Sequence, residues 1–386
     1  MSGLRIVADQ NMRGVEGYFR DIGSVKLVDG RSLGAEDLQD IDVLLVRSVT
    51  RVDESLLRDS PVRFVGTATS GFDHIDRAWL AQRDIGFSHA PGSNANSVVE
   101  YVLAAIAQTG SVLERLLSGG RIGIIGYGNI GRALARRCHA LGIDYGVYDP
   151  WLPNDAVSRP MPLHDILSSD VVSVHAELTR QAPWPSWHLL GDDALAAMRS
   201  ATLLINASRG EIVDNAALLS LLERGRGPAT VLDVWEGEPR VAVDLLRRVN
   251  LGSAHIAGYS MDGKFLATRQ LRDAVTAYFD LPEISEQSGL APALPLEVPA
   301  ALAGSALLRW ALASRYSIGE DDRLLRAATL GVSAEESAVA FDQLRKNYGE
   351  RRELAGSRLQ VNSASPDQSV LLQALGCVVS ECKAPG

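Results

Sequence analysis

Residues 121–132, R-I-G-I-I-G-Y-G-N-I-G-R, decide the fold of this chain. The apolar run Ile122–Ile125 predicts a strand, and residues 132–141 favour a helix, so a glycine-rich turn joins the two. The glycines follow the G-x-G-x-x-G pattern at Gly126, Gly128 and Gly131. Glycine turns are common, but this one lies between a strand and a helix, which predicts a Rossmann dinucleotide site.

Each position of this turn has a physical role in binding a dinucleotide. Gly126 permits the tight turn, Gly128 lets the backbone approach the pyrophosphate, and Gly131 allows the helix to pack closely on the strand. The helix that begins near Asn129 and Ile130 offers free backbone N–H groups to the phosphates. The turn therefore predicts where the phosphates bind.

An acidic residue follows at the spacing that such a site requires. Asp149 lies 18 residues after Gly131, at the end of the next predicted strand. A carboxylate there accepts hydrogen bonds from the ribose hydroxyls and repels the 2′-phosphate of NADP. NAD is the predicted cofactor.

Short apolar segments alternate with helical segments on both sides of the glycine turn, which predicts two parallel α/β sheets because parallel strands need crossover connections. The first predicted series of strands is Leu4–Ala8, Val25–Val28, Val43–Val46, Phe64–Thr67 and Gly86–His89. The second is Ile122–Ile125, Tyr145–Tyr148, Val171–Val174, Leu203–Asn206 and Thr230–Asp233, with Gly252–Ala257 as a final strand or turn.

Polar residues follow the last strands of the second series. Arg209, Asp233, Glu238 and His255 stand at successive strand ends, which meet at one edge of a parallel sheet. Removing a hydride from a carbinol carbon requires a base for the hydroxyl proton, and neutral histidine suits that role near pH 7. A carboxylate can orient the imidazole, and an arginine can bind a substrate carboxylate at two points. Asp233 could bond the nicotinamide carboxamide.

Composition excludes several classes of function. The 386 residues are 46% hydrophobic and carry a formal charge of −9, which disfavours a general nucleic-acid binder. No segment predicts a signal peptide or a membrane span, so no membrane partner is expected. The three cysteines lack metal-ligand spacing, so we expect free thiols, no metal site and a cytoplasmic protein. Those cysteines are Cys138, Cys377 and Cys382.

The ordered set of residues resembles the D-2-hydroxyacid dehydrogenase family. Arg209-Gly210, the stretch T-V-L-D-V-W-E-G-E-P at 230–239 and His255 match its pattern. The resemblance implies that Arg209, Glu238 and His255 are catalytic. It further implies an NAD site lined by Ala207, Ser208, Arg209, Asp233 and Gly258.

The same resemblance implies how the chain divides into domains. A flavodoxin-like α/β substrate domain would comprise 1–95 and 258–285, with the Rossmann NAD domain, 96–257, inserted in it. Residues 286–386 would form a small C-terminal α+β domain.

A narrower resemblance is to one branch of that family, through stretches such as L-L-V-R-S-V-T at 44–50 and A-H-I-A-G-Y at 254–259. Its most specific part is F-D-Q-L-R-K-N-Y-G-E-R-R-E at 341–353, which most members of the family lack. The branch implies a homodimer formed through the C-terminal domain and a small phosphorylated 2-hydroxy acid as substrate. Ser48, Thr69 and Tyr259 match its substrate contacts.

The substrate phosphate would need cationic partners. Arg47, at the end of the strand Val43–Val46 and beside Ser48, is the first candidate. A C-terminal basic cluster could reach the site across a dimer, or it could be a solvated helix face. That cluster is Arg345, Lys346, Arg351 and Arg352.

The chain departs from the family pattern at several positions. Ala176 stands where a threonine usually lies near the cofactor, so its hydroxyl bond would be lost. Phe72 and Ser93 replace a small polar residue and a cysteine, and the loop 183–187 is rich in tryptophan. These departures affect fine specificity and leave the catalytic set intact.

Two alternatives remain open at this point. The chain could oxidise another 2-hydroxy acid, such as 3-phosphoglycerate or glyoxylate. It could also be a binding protein that reports NADH, as some transcriptional corepressors do. The sequence does not decide whether NADH dissociates or is re-oxidised in place by a 2-oxo acid.

Overall fold

The computed structural model describes residues 3–281, 289–362 and 366–382. All pairings between its strands are parallel. In chain order the strands are β1 (Leu4–Asp9), β2 (Gly23–Val28), β3 (Val43–Val46), β4 (Phe64–Thr67), β5 (Gly86–His89), β6 (Arg121–Ile125), β7 (Asp144–Tyr148), β8 (Val171–Val174), β9 (Leu203–Asn206), β10 (Ala229–Leu232), β11 (Leu251–Gly252), β12 (Leu296–Glu297), β13 (Arg358–Asn362) and β14 (Val378–Cys382).

Helices connect these strands, as parallel pairing requires. They are α1 (Val15–Phe19), α2 (Glu54–Leu57), α3 (Arg77–Gln82), α4 (Ala95–Gln108), α5 (Val112–Leu117), α6 (Asn129–Ala140), α7 (Leu163–Leu167), α8 (Asp192–Ala196), α9 (Asn215–Glu223), α10 (Val243–Arg248), α11 (Met261–Tyr278), α12 (Gly304–Ala313), α13 (Ile318–Thr329), α14 (Ala334–Lys346) and α15 (Pro366–Ala374). None of the helices in the described segments is both long and apolar enough to cross a membrane.

The first compact unit comprises the described residues of 1–94 and 260–292. Its five strands lie in the order β2-β1-β3-β4-β5, which is the flavodoxin-like order predicted for this part of the chain. The central strands β3 and β4 are buried along their whole length, because helices cover both faces of the sheet. Leu271 and Val275 of α11 pack in one of the two cores of this unit.

The second unit comprises the described residues of 95–259 and 293–386. Six strands lie in the order β11-β10-β9-β8-β6-β7. An isolated parallel bridge between Val147 of β7 and Pro160 occupies the place of a further strand beyond β7. With that bridge counted, the order is that of a doubly wound dinucleotide-binding sheet, so the predicted Rossmann fold is confirmed.

The C-terminal residues belong to this second unit. β12, β13 and β14 form a three-stranded parallel sheet, and helices α12 to α15 belong to the same part of the chain. Leu307 and Leu308 of α12 share one buried cluster with Tyr101 and Ile106 of α4. The apolar core is therefore continuous from the Rossmann sheet into the C-terminal region. The predicted boundary at 285/286 falls within 282–288, outside the described residues.

Candidate active site

The glycine turn has the geometry that its sequence predicts. Gly126 has φ +93°, and a Cβ there would overlap the backbone of Ala176, so only glycine fits. A Cβ on Gly131 would overlap the Gly126 carbonyl oxygen, which shows how closely α6 packs on the turn. Gly128 faces open space. The backbone at Gly128 is thus accessible to a ligand.

Helix α6 begins at Asn129 and Ile130 with no side-chain cap, so its first backbone N–H groups are available to an anion. Asp149 directly follows β7 and accepts hydrogen bonds from the Tyr127 and Trp151 amides at 2.8 and 3.1 Å. These bonds fix the carboxylate beside the glycine turn. Uncapped amides, an open glycine and a fixed carboxylate together fit an NAD molecule, and the contact of Asp149 with its ribose stays a prediction.

Exchanging Asp149 for asparagine tests this assignment. We expect the KM for NAD to rise about tenfold and the preference for NAD over NADP to fall, because a charged acceptor for the ribose hydroxyls is lost. Steady-state kinetics with both cofactors measure the change. Asp144→Asn is the matched control, since Asp144 begins the strand that Asp149 follows and pairs with Arg121 and Arg159 instead. An unchanged NADP/NAD ratio in Asp149→Asn would refute the assignment.

Asn206, at the end of β9, shapes the loop that carries Arg209. Its amide nitrogen donates to the Arg209 carbonyl at 2.9 Å, and its Oδ1 accepts from the Ser208 amide at 3.2 Å. The Ser208 hydroxyl donates to the Ala176 carbonyl. A Cβ on Gly210 would overlap the Trp235 backbone, so the loop after β9 lies against the loop after β10.

Glu238 and His255 form a direct pair, as their positions at strand ends predict. The distance from Glu238 Oε2 to His255 Nδ1 is 2.7 Å, and Oε1 accepts from the Trp235 amide at 2.8 Å. Burial alone would raise the pKa of Glu238, but His255, the Trp235 amide and Arg345 outweigh it and hold that pKa below its ordinary value. The carboxylate therefore stays ionised and engages Nδ1, which leaves Nε2 as the ring atom for proton transfer.

The loop of His255 is held by Asp233, which directly follows β10 and is 1% exposed. Oδ1 accepts from the Ser253 hydroxyl at 2.6 Å and the Ile256 amide at 2.8 Å, and Oδ2 accepts from the Ala257 amide at 2.9 Å. These bonds hold His255 at φ +54°, a left-handed conformation that is costly for histidine. The nicotinamide contact of Asp233 stays a prediction, and the structure adds this second role.

Buried contacts with the C-terminal region also hold this loop. Arg351 is 5% exposed, and its guanidinium donates to the Ala257 carbonyl at 3.1 Å and the Ser97 carbonyl at 2.7 Å. It lies 3.8 Å from the centre of the Tyr316 ring. Arg351 is therefore enclosed within its own unit. It is not part of a solvated helix face, and it cannot reach across a dimer, which were the two alternatives for the basic cluster at 345–352.

The remaining predicted substrate contacts divide between the two units. Arg47 and Ser48 follow β3 and Thr69 follows β4, so they share the carboxyl edge of the first sheet. Arg47 Nε lies 3.1 Å from Oδ1 of the buried Asp9. Tyr259 belongs to the second unit, one residue after Gly258 and close to the histidine loop. Substrate binding by these residues remains a prediction.

The departures from the family pattern have structural partners. Phe72 packs edge-on against His89 at 5.0 Å and lies under the Arg77 guanidinium at 4.8 Å. The buried Ser93 hydroxyl donates to the Ala90 carbonyl at 3.0 Å. In the tryptophan-rich loop, Trp184 accepts at its carbonyl a 3.0 Å hydrogen bond from the Trp151 ring. Phe72 and Ser93 thus contribute to packing within the first unit.

Sequence reasoning missed several residues whose hydrogen bonds and ion pairs support the loops of the site. Asn206 and Ser253 carry no motif beyond their positions at strand ends. His188 is a further case: its Nε2 lies 2.8 Å from Glu236 and its Nδ1 lies 3.4 Å from Asp214. A ring nitrogen of His188 and a carboxylate oxygen from each of Asp214 and Glu236 lie within 4.8 Å of one another. The imidazole lies between the two carboxylates, and its pairing with them accounts for this cluster.

Comparisons with known families agree with this geometry. Residues 99–257 match the model described as D-isomer specific 2-hydroxyacid dehydrogenase, NAD binding domain. Residues 295–376 match a domain of unknown function. The first match covers both the glycine turn and the histidine loop.

Curated relatives align over nearly the whole chain. The erythronate-4-phosphate dehydrogenase of Cellvibrio japonicus is 42% identical and covers 97% of this chain and 99% of its own length. That of Proteus mirabilis is 40% identical, with coverages of 97% and 98%. With 97% of the chain aligned, the match to these relatives extends into the C-terminal region.

Solved structures share the fold at lower identity. A D-lactate dehydrogenase from Aquifex aeolicus, complexed with NAD and lactic acid, has a TM-score of 0.59 at 23% identity and covers 72% of this chain and 95% of its own. An NAD⁺-bound 3-phosphoglycerate dehydrogenase from Entamoeba histolytica has a TM-score of 0.61 at 20% identity, with coverages of 72% and 96%.

Proposed function

Because this chain belongs to the erythronate-4-phosphate dehydrogenases, a branch of the D-isomer specific 2-hydroxyacid dehydrogenases, we propose that it oxidises 4-phospho-D-erythronate with NAD. The product is 2-oxo-3-hydroxy-4-phosphobutanoate, and the reaction is a step of pyridoxine 5′-phosphate biosynthesis. The observation that carries the proposal is the 2.7 Å Glu238–His255 pair on a loop fixed by Asp233.

The residues of the second unit have complementary roles in this reaction. Arg209 binds the substrate carboxylate and polarises the forming carbonyl. His255 Nε2 takes the proton of the C2 hydroxyl while the hydride leaves C2, and bound NAD supplies the hydride acceptor. Glu238 orients the imidazole and stabilises the imidazolium that results. Ala207, Ser208, Asp233 and Gly258 line the cofactor site.

Activity with 4-phospho-D-erythronate tests the proposal. We expect turnover with NAD, or with a 2-oxo acid present to re-oxidise NADH in place, and much lower kcat/KM for 3-phosphoglycerate and glyoxylate. The product is identified by mass spectrometry. Turnover of 3-phosphoglycerate but not of 4-phospho-D-erythronate would leave the chain in the wider family and remove the substrate assignment.

Arg47 is proposed to bind the substrate phosphate, with Ser48, Thr69 and Tyr259 as further substrate contacts. Charge reversal is a poor test, because it would leave the buried Asp9 facing a second carboxylate. Arg47→Lys keeps the charge and removes the planar fork that binds phosphate at two points. We expect the KM for substrate to rise about tenfold with little change in kcat.

Arg51→Lys is the control for Arg47→Lys, since Arg51 follows the same strand but its side chain is 80% exposed and pairs with Asp53. Steady-state kinetics of both variants are compared at saturating NAD. A fall in kcat that equals the rise in KM would argue against a simple phosphate contact.

We also infer a cytoplasmic homodimer formed through the C-terminal region. Among the described residues, that region holds six of the twelve exposed large apolar side chains, and those that lie at a dimer interface would be removed from water. They are Leu294, Leu324, Val332, Val339, Val370 and Val378. Free, buried thiols at Cys138 and Cys377 suit a reducing compartment.

Light scattering of the full chain tests the dimer. We expect twice the 41.4 kDa of one chain, and Val339→Asp should shift the mass toward the monomer because a carboxylate would be buried at the interface. Leu27→Asp, an exposed position on β2, is the control. A monomeric wild-type chain at micromolar concentration would contradict the inference.

A further inference from the structure

Helix α14 brings a cation from the C-terminal region to the catalytic pair. Phe341 of α14 is fully buried in the cluster that also contains Trp235 and Ala254, which lie in the two loops carrying Glu238 and His255. A residue one turn further along lies on the same helix face. That residue is Arg345, so the packing of Phe341 directs Arg345 toward the catalytic loops.

The surroundings of Arg345 are unusual for a structural arginine. Its guanidinium donates a hydrogen bond to the Tyr259 hydroxyl. Its Nε is buried and has no hydrogen-bond partner among the described residues. Burying a guanidinium that is only partly hydrogen-bonded costs free energy, and in native proteins such a group calls for an explanation.

The charges nearby supply that explanation. Burial alone would lower the pKa of Arg345, but Tyr259, Glu238 and Asp233 outweigh it and raise that pKa. Arg345 in turn contributes to holding the pKa of Glu238 low. A permanent cation therefore stabilises the ionised form of the carboxylate that orients the catalytic imidazole.

We propose that Arg345 is a positioning residue of the catalytic site, which holds the Tyr259 hydroxyl and sets the charge around the Glu238–His255 pair. The kinetic part of this inference rests on the proposed function. The C-terminal region then does more than extend the core, because it supplies a cation to the catalytic site.

The charged groups around His255 give the direction of the effect. Glu238 and Asp233 follow β10, and Arg345 lies in the last turn of α14. Arg351 follows that helix and donates to the Ala257 carbonyl. Tyr348 packs against Tyr259 and donates to Asp321 of α13. The carboxylates favour the imidazolium, whereas the cations oppose it. Removing the charge of Arg345 should therefore move the acid limb of the kcat/KM profile to higher pH, because one cation that opposes the imidazolium is lost.

The environment of the His255 ring is followed by NMR of histidine-labelled protein at fixed pH, with His255→Asn to assign its signal. Arg345→Gln and Arg345→Met remove the charge, and Arg345→Lys keeps it. Lys346→Gln is the matched control, because Lys346 is the exposed neighbour on the same helical turn. We expect the His255 ring signals to shift in both neutral variants and to stay at their wild-type positions in Arg345→Lys and Lys346→Gln.

Kinetics provide a second readout. The acid limb of kcat/KM should move to higher pH in the neutral variants, and kcat should fall about tenfold in all three Arg345 variants as Tyr259 loses its partner. His255 ring signals that are identical in Arg345→Gln and Lys346→Gln would overturn the proposal. The NMR measurement needs no substrate, so a failure of the proposed reaction is distinguishable from a failure of this inference.

Discussion

Replacing His255 by asparagine is expected to lower kcat by about 10³-fold while NADH binding stays unchanged. The variant removes the only ring nitrogen that can take the C2 hydroxyl proton, because Nδ1 is engaged by Glu238 at 2.7 Å. Asparagine is preferable to alanine here. It tolerates the φ of +54° that His255 adopts, and its amide can still donate to the Glu238 carboxylate.

Two measurements separate catalysis from binding in this variant. Steady-state kinetics give kcat, and NADH fluorescence titration gives the dissociation constant. His164→Asn is the control, since the His164 side chain is 81% exposed. The acid limb of the pH profile should also disappear, because no imidazole has to lose its proton. Turnover within tenfold of the wild type would exclude His255 as the base and favour an NADH-reporting role for the chain.

Strand ends made much of this site predictable from sequence. Parallel strands place their carboxyl ends at one edge, so Arg209, Glu238 and His255 could be assigned to one site although they are separated along the chain. The roles of Gly126 and Gly131 followed from steric limits that depend only on neighbouring backbone. Sequence patterns were therefore sufficient to predict those features of the site that depend on backbone geometry, namely the strand ends and the glycine turn.

Residues that act through distant contacts could not be predicted in this way. Arg345 and Arg351 belong to one run of basic residues, and charge patterning alone suggests a solvated face. Arg351 instead reaches Ser97, 254 positions away, and such a contact depends on how α14 and the following loop pack. Asp233 is similar, because its hydrogen bonds arise only when the loop after β11 folds back over β10.

Asp233→Asn should have the second largest effect, and it separates two roles of that side chain. An asparagine offers one carbonyl oxygen where the carboxylate has two, so its NH₂ group would face a backbone N–H or the Ser253 hydroxyl. Each charge-assisted hydrogen bond contributes about 1.5–3 kcal/mol, and a buried donor facing a donor adds to the loss. We expect unfolding to occur roughly 5 °C lower and kcat to fall about 10²-fold as His255 loses its position.

The outcome distinguishes a loop anchor from a nicotinamide contact. If Asp233 only bound the carboxamide of NAD, the KM for NAD would rise while the unfolding temperature stayed constant. If it anchors the loop, stability and kcat fall together as the distance between His255 and Glu238 relaxes. Ser253→Ala is the graded control, because it removes one donor to Asp233 and leaves the carboxylate and both amide bonds in place. We expect Ser253→Ala to lower the free energy of unfolding by about 1 kcal/mol and Asp233→Asn to lower it by several times as much. That difference would show that the hydrogen bonds of the Asp233 carboxylate hold His255 in its left-handed conformation.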